Sequence, residues 1–255
     1  MGLLRRIIAN PNGYAKQLKF LIAGLYFDLF LKQYRTNGCA FTVPREHINR
    51  VGRGYFALGL YERDERAYIG KVLDGKETIL ELGGCIGVIS CITNKKLANP
   101  GQHLVVEANP EMIPYLDENK KKNGCNFEIV NAVISKTEFV DFFLSDSFVA
   151  SGIYQQGVNR RRISVKGVTP RELENKYNLK FNTIVMDIEG GEYDLVLDNK
   201  TFLNDIDKIF MEEHRFILGD IKFKEYEDVL RSLGFEKKVF QENISCWKRN
   251  RRDGN

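Results

Sequence analysis

The stretch "ILELGGCIGVIS", residues 79–90, constrains this chain more than any other. An apolar run closes on Glu81 and Leu82, Gly83, Gly84 and Gly87 follow, and a second apolar run begins. Glycine loses more backbone freedom on folding than any other residue. Three glycines within five positions therefore mean either a sterically demanding turn or a place where a ligand approaches bare backbone. A short buried strand that passes through such a turn into a helix is one unit of an alternating α/β chain.

The rest of the sequence keeps that alternation. "HLVVEA" (103–108), "FEIVNAVI" (127–134), "EFVDFFL" (138–144), "RISVKGV" (162–168), "NTIVMDIEG" (182–190) and "KIFMEEH" (208–214) read as strands. Helical patterns cover residues 62–73, 86–97, 110–124, 169–177, 191–199 and 223–234. Thr169 is the expected N-cap of its helix and Pro170 the first helical residue, whereas Pro114 sits less comfortably inside its pattern. "FEKKVF" and "ISCWK" form a closing antiparallel hairpin. Buried strands between amphipathic helices predict an α/β fold, a Rossmann-like, mostly parallel sheet with helices on both faces. Its crossovers are right-handed, and ligands bind at the carboxyl ends of its strands.

With 255 residues, 43% hydrophobic and 28% charged, the chain can build one large domain or two small ones. The expected division is an N-terminal extension over residues 1–54 and a catalytic domain over 55–255. "PNG" (11–13) and "TNG" (36–38) read as turns around an apolar segment. That segment, "LKFLIAGLYFDLFLK" (18–32), is too short for a membrane span of about 20 residues and has no cleavage site for a leader. Residues 1–35 carry six basic side chains against Asp28, a net +5 within a chain of +4. The segment is thus either a helix packed on the domain or an amphipathic helix lying on an anionic membrane. "WKRNRR" (247–252) is a second basic cluster. The five cysteines are scattered and never spaced C-x-x-C, which argues against a zinc ribbon or disulfide framework and for a reducing, cytoplasmic compartment, with peripheral membrane contact as the variant.

The glycine turn narrows the ligand. No Lys-Ser or Lys-Thr follows Gly87, so it is no P-loop, and Gly83-Gly84-Cys85-Ile86-Gly87 has the wrong spacing for the dinucleotide fingerprint. Glu81, expected to face the ligand, repels a pyrophosphate but suits an ammonium or sulfonium centre, and S-adenosylmethionine carries both. Glu107 ends the next strand, 26 residues on, near the spacing of about 20 at which an acid reaches ribose hydroxyls. Asn131 and Ala132, in "VNAV" at the end of the third strand, are placed to flank the adenine, and Ala108, next after Glu107, is expected among the cofactor-binding residues.

Seven segments in order, "GLYERDE" (59–65), "ILELGGCIGVIS" (79–90), "VVEANPE" (105–111), "VNAVIS" (130–135), "VKGVTPRELENKY" (165–177), "IVMDIEGGEYDLV" (184–196) and "IFMEEH" (209–214), make the chain resemble the FkbM-type S-adenosylmethionine-dependent methyltransferases over about residues 55–236. The glycine turn departs from the family's usual Gly-Ala-Asn-x-Gly, with Gly84 and Cys85 at the second and third places. The resemblance implies a class I methyltransferase fold and O-methylation of a hydroxyl on a sugar, glycan or natural product.

The catalytic candidates end apolar strands: Asp187 and Glu189 on one, Glu212 and His214 on another, each pair two residues apart and able to share a side. An acceptor oxygen must be aligned with the activated methyl group and lose its proton. His214, with an ordinary imidazole pKa near 6.5, is the expected general base, and Asp187 is the rival. In a third reading Asp187, Glu189 and His214 hold a divalent metal that polarises the hydroxyl. His47 and His103 are read as surface or structural. The polar segment 145–164 is expected beside the crevice, its Arg160, Arg161 and Arg162 offered to an anionic acceptor. RNA cap or ribose methylation is the enzymatic alternative, disfavoured because no RNA-recognition motif accompanies the modest charge. A degenerate cofactor-binding interaction module is the non-enzymatic one.

Overall fold

In the computed structural model, which describes residues 11–145 and 160–249, the glycine-rich turn follows an interior strand of a seven-stranded sheet. The chain begins with helix α1 (Pro11–Phe30), the strands β1 (Tyr34–Thr36) and β2 (Cys39–Phe41), and helices α2 (Arg50–Ala57) and α3 (Arg63–Val72). Strand β3 (Ile79–Leu82), α4 (Val88–Asn94), β4 (His103–Glu107), α5 (Ile113–Lys122) and β5 (Glu128–Asn131) follow. A side sheet is made by β6 (Val133–Ile134), β7 (Phe139–Ser145) and β8 (Arg160–Val168). The second half runs α6 (Pro170–Tyr177), β9 (Thr183–Met186), α7 (Glu192–Asp198), α8 (Lys200–Leu203), β10 (Lys208–Glu212), α9 (Arg215–Ser232), β11 (Phe235–Val239) and β12 (Ile244–Arg249).

The main sheet has the order β11-β12-β10-β9-β3-β4-β5. Strands β10, β9, β3, β4 and β5 run parallel, while β12 is antiparallel to both β10 and β11. This is the mostly parallel sheet with a C-terminal antiparallel hairpin that the alternation predicts. Period-two alternation divides each central strand between two cores. Ile79, Val105, Val185 and Phe210 face one core, with Ile69, Cys91 and Leu116 from the helices. Leu80, Leu104, Ile184 and Ile209 face the other, with Leu173, Val196, Tyr226 and Leu230. Burial of each such side chain contributes about 1.5–3 kcal/mol, so both faces of the sheet are closed by the apolar effect rather than by ion pairs.

Local chemistry sets the element ends. Thr169 and Glu172 form a reciprocal capping box at the start of α6, with Pro170 in the first turn. Pro114 also falls in the first turn of α5, where no intrahelical N–H bond is lost. "TNG" is the turn of the β1–β2 hairpin, with Asn37 at φ 48° and Gly38 at φ 74°. "PNG", expected as a turn, instead opens α1, because proline's fixed φ suits a first helical turn. Helix α9 starts earlier than residue 223 and is interrupted at Gly219.

Helices α1 and α2 cross at backbone contact. A Cβ on Gly24 would lie 1.9 Å from the Arg50 carbonyl oxygen, and one on Gly54 would lie 2.2 Å from that of Phe20. Phe20 and Phe27 are buried at this crossing, and Phe20 stacks on Tyr55 with ring centroids 4.1 Å apart. Asp28 accepts from Arg53 Nε at 2.6 Å and Nη2 at 2.8 Å, and this pairing holds its carboxyl below the usual range. The expected division between residues 54 and 55 falls inside α2, and Phe27 and Phe56 belong to the same core as Ile69 and Leu116. No helix among the described residues is long and apolar enough to cross a membrane. Arg5, Arg6, the segment 146–159 and the end of the basic tail lie outside the described residues.

Candidate functional site

The neighbours of β3 diverge, with β4 on one side and β9 on the other. A crevice opens at such a switch point, beyond the carboxyl ends of the strands. Leu82 is in register with Val106 and Met186, Met186 with Met211, and Glu107 with Asn131. One residue further on, the same row reads Asn131, Glu107, Gly83, Asp187 and Glu212. A cavity of about 700 Å3 stands over this row, within the range of about 300–1,000 Å3 usual for small-molecule sites. Residues Tyr55, Tyr61, Glu62 and Glu65, from α2, the following loop and α3, form its opposite wall.

Of the residues expected to hold a cofactor, Gly83, Glu107, Ala132, Ala108 and Asp187 line the cavity. The Glu107 carboxylate is buried and held by two backbone amides, Cys85 N–H at 2.7 Å and Asn109 N–H at 2.6 Å. Burial pushes its carboxyl up in spite of those donors. Gly83 carries φ +87°, and a Cβ there would lie 2.0 Å from the Asp187 carbonyl oxygen. The turn is therefore glycine because two strand ends meet backbone to backbone at the floor of the cavity.

Four expectations are corrected. Glu81 does not face the ligand. Alternation turns it under α4, onto the side of Ile79, where Ser90 Oγ donates to one oxygen and His103 Nε2 lies 3.1 Å from the other. His103 is thus a fully buried structural residue. Gly84 and Gly87 do not line the cavity. Their missing side chains make room for Val105 and Leu116, which a Cβ would meet at 2.4 and 2.8 Å respectively. Asn131 does not reach the cavity either, since its amide donates to the carbonyls of Glu107 at 2.8 Å and Ala108 at 3.1 Å.

Asp187, Glu189 and His214 do come together. His214 Nε2 stands 3.5 Å from Asp187 Oδ1 and 3.6 Å from Glu189 Oε2, while Nδ1 is 2.7 Å from Glu192 Oε1. Burial alone would depress the imidazole. The hydrogen bond to Glu192 and the charges of Asp187, Glu192 and Glu189 outweigh it and push the pKa up to about 10. This environment favours the cationic ring, whereas the general base expected from the sequence has an ordinary pKa. Burial raises the Asp187 carboxyl to about 6, with His214 opposing, and raises Glu212 to about 10, with Asp187 adding to the shift.

Sequence reading missed the acids on the opposite wall. Glu62 and Glu65 line the cavity from within "GLYERDE", and burial drives the Glu62 carboxyl well up. Glu192 is wholly buried behind His214. The available signal was acids placed among apolar positions at the start of an amphipathic helix. Backbone strain marks the cavity lining: Glu62, Cys85 and Glu189 are non-glycine residues at φ 46°, 45° and 50°, each costing about 1–3 kcal/mol and typical of functional sites. Arg161 pairs with Glu111 and Arg162 with Asp141, and neither lines the cavity.

Residues 81–237 match a family model described as the Methyltransferase FkbM domain. None of the curated proteins matches the chain. Among solved structures, the O-methyltransferase from Bacillus cereus in complex with SAH is similar at 10% identity, over 92% of this chain and 91% of that one, with TM-score 0.46. Precorrin-6y C5,15-methyltransferase from Geobacter metallireducens GS-15 is similar at 12% identity, over 74% and 89%, with TM-score 0.47. The ribosomal protein L11 methylase from Lactobacillus delbrueckii subsp. bulgaricus is similar at 14% identity, over 74% and 78%, with TM-score 0.44.

Proposed function

The chain belongs to the FkbM methyltransferase family, and from that premise we propose that it O-methylates a hydroxyl group of a sugar, a glycan or a related natural product. It is an S-adenosylmethionine-dependent methyltransferase of the class I α/β fold. The observation that carries the O-methylation reading is the pole of Asp187, Glu189 and His214 on the cavity wall, at the carboxyl ends of β9 and β10.

The residues present fit the cofactor. The Glu107 carboxylate is fixed by two amides, and a carboxylate has about four lone-pair sites, so it can also accept from two ribose hydroxyls. Ala108 and Ala132 leave the neighbouring wall small and apolar. The acids of the opposite wall suit a cationic sulfonium and ammonium. When bound, S-adenosylmethionine supplies a methyl group already activated for transfer.

The chain's own work is to orient the acceptor and remove its proton. Gly83 and Asp187 fix the cavity floor, and His214, held by Glu192, fixes the imidazole edge facing the acceptor. The hydroxyl proton passes to the carboxylate side of the pole, Asp187 and Glu189, because the surroundings of His214 favour its protonated form. Labelled cofactor incubated with a panel of glycans, lipid-linked sugars and capped RNA tests the reading. Label on a sugar hydroxyl supports it, and label confined to RNA ribose would replace it. Glu107→Ala is expected to weaken S-adenosylmethionine and its demethylated product alike, because the ribose is common to both. Calorimetry showing unchanged affinity would remove Glu107 from the cofactor site.

A specific observation favours a peripheral membrane contact as well. One side of α1 packs on α2, yet Leu18, Leu21, Ile22, Leu25, Leu29 and Phe30 remain exposed on it, beside the exposed Lys16, Lys19 and Lys32. A helix apolar on both sides requires a second apolar neighbour, and each basic residue near an anionic bilayer adds about 1 kcal/mol. Deleting the whole helix would also remove the buried Phe20 and Phe27. The suitable variant is therefore Ile22→Glu with Leu29→Glu. Salt-sensitive flotation with phosphatidylserine vesicles is expected for the parent and lost in the variant, with unchanged melting. Equal flotation of both would refute the contact.

A further inference from the structure

We infer that Asp187, Glu212 and His214 form a site for one divalent cation of the manganese or magnesium class, at the cavity ends of β9 and β10. One ligand atom from each lies within 4.8 Å of the others. Ions of this class take their ligands at about 2.0–2.2 Å, so ligand atoms grouped this closely are near the spacing that one ion would impose. The set differs from the one expected from sequence: Glu212 takes the place of Glu189, because it continues the β10 register beside Asp187.

Each of the three is prepared for such a role. His214 is 4% exposed, and its Nδ1 is bound to Glu192 Oε1 at 2.7 Å. A carboxylate behind an imidazole is the usual device for aiming the other nitrogen at a metal. That nitrogen, Nε2, has carboxylate oxygens only at 3.5 and 3.6 Å, beyond good hydrogen-bond length. Asp187 Oδ1, the nearer of these, is buried and has no hydrogen-bond partner. Glu212 Oε1 accepts from the Asn243 amide, which fixes that carboxylate from behind. An orphaned oxygen, a backed imidazole and a backed carboxylate thus converge on one point.

The surrounding charge agrees. Glu62, Glu65 and Glu189 also line this part of the cavity, and among the described residues its basic lining side chains are His214 and Arg63. Arg63 is occupied by Asp64 at 3.1 Å. A cationic organic ligand would complement the acids but not the imidazole, whereas a metal ion, by displacing the proton from Nε2, would use both. Two carboxylates and one imidazole suit manganese or magnesium better than softer metals, and they leave positions of a six-coordinate ion for an acceptor oxygen and water. The ion would act as a Lewis acid on the acceptor hydroxyl, lowering its pKa, and with Asp187 bound to the ion the released proton would pass to Glu189.

The inference rests on the geometry of the pole and not on the acceptor's identity, so its test needs neither acceptor nor turnover. The full chain is titrated with Mn2+ alone, and the free-ion signal is followed by electron paramagnetic resonance. One ion per chain is expected to bind, and to remain bound when S-adenosylmethionine is added. Glu212→Gln and His214→Gln should abolish binding, and Glu192→Gln, which alters only a positioning residue, should weaken it about 10–100-fold. Circular dichroism identifies any variant that fails to fold, and the unmodified protein decides the matter alone if all of them do. A free-ion signal unchanged by the unmodified protein would overturn the inference, as would equal binding by a folded Glu212→Gln. Displacement of the ion by S-adenosylmethionine would also overturn it, since the acids would then belong to the cofactor. None of these results depends on methyl transfer, so the O-methylation reading stands or falls separately.

Discussion

Asparagine in place of Asp187 is expected to lower turnover at saturating substrates by about 10²–10⁴-fold, the range typical for loss of a group that manages a proton in the transition state. The substitution keeps the shape of the side chain and removes its charge. In the native site that charge lies on the cavity floor 3.5 Å from the His214 ring and helps keep the imidazole protonated. Asparagine offers neither a proton acceptor nor an anion. Melting temperature should change little, because Asp187 Oδ1 makes no hydrogen bond whose loss would be felt. Single-turnover rates and calorimetric cofactor affinity, measured on the same preparation, separate the possible roles. A rate within a few-fold of the parent would remove Asp187 from the chemistry. A large loss of affinity with the saturated rate preserved would move it to the cofactor's side.

The sheet was legible because its signal is repeated. Each central strand is a run of β-branched and other apolar residues bounded by turn formers, and each alternates between two buried faces, so few sequences of this kind fit any other fold. The same alternation misled the reading of Glu81. A strand buried on both sides gives no pattern to say which core a polar residue enters, and the partner that draws Glu81 inward, His103, is 22 residues away on β4. The N-terminal third was the least legible. The short strands β1 and β2 and the helix α2 are brief, and their burial is decided by long-range contacts, such as the Asn119 and Asn123 side chains that bond the backbone of Thr42 and Ala40.

Within the site, what could be read was the position of residues along strands; what could not was their electrical environment. Spacing alone placed Asp187 with Glu189 and Glu212 with His214. Nothing local to "MEEH" shows that Glu192 stands behind the imidazole, because that contact joins the start of α7 to the loop after β10. The pKa of His214 is set by that nonlocal neighbour, and the choice of base changes with it. Glu62 and Glu65 were missed for a related reason. They reach the cavity only because the chain before α3 passes over the carboxyl ends of the sheet, a path the alternation of strands and helices does not encode.

Alanine at Gly83 is expected to destabilise the protein by at least about 3 kcal/mol, against about 1–2 kcal/mol for alanine at Gly87, although both glycines have positive φ. The left-handed backbone costs a side chain about the same at either place. The difference lies in what the new methyl group meets. At Gly87 it would lie 2.8 Å from Leu116 Cδ1, the far end of a side chain that can turn aside. At Gly83 it would lie 2.0 Å from the carbonyl oxygen of Asp187. That oxygen cannot retreat, since Asp187 N–H donates to Leu82 O at 3.1 Å and Gly83 N–H to Val106 O at 2.9 Å, locking three strand ends together. Relief requires β3 and β9 to separate at their carboxyl ends, which moves the Asp187 carboxylate with them. For a chain of this size the stability loss corresponds to a fall in melting temperature of roughly 6–12 °C or more for Gly83→Ala and roughly 2–8 °C for Gly87→Ala. Activity measured well below either transition should still be reduced in Gly83→Ala and nearly normal in Gly87→Ala. Equal melting temperatures, or full activity in a folded Gly83→Ala, would mean that the two strand ends are not coupled as this contact requires.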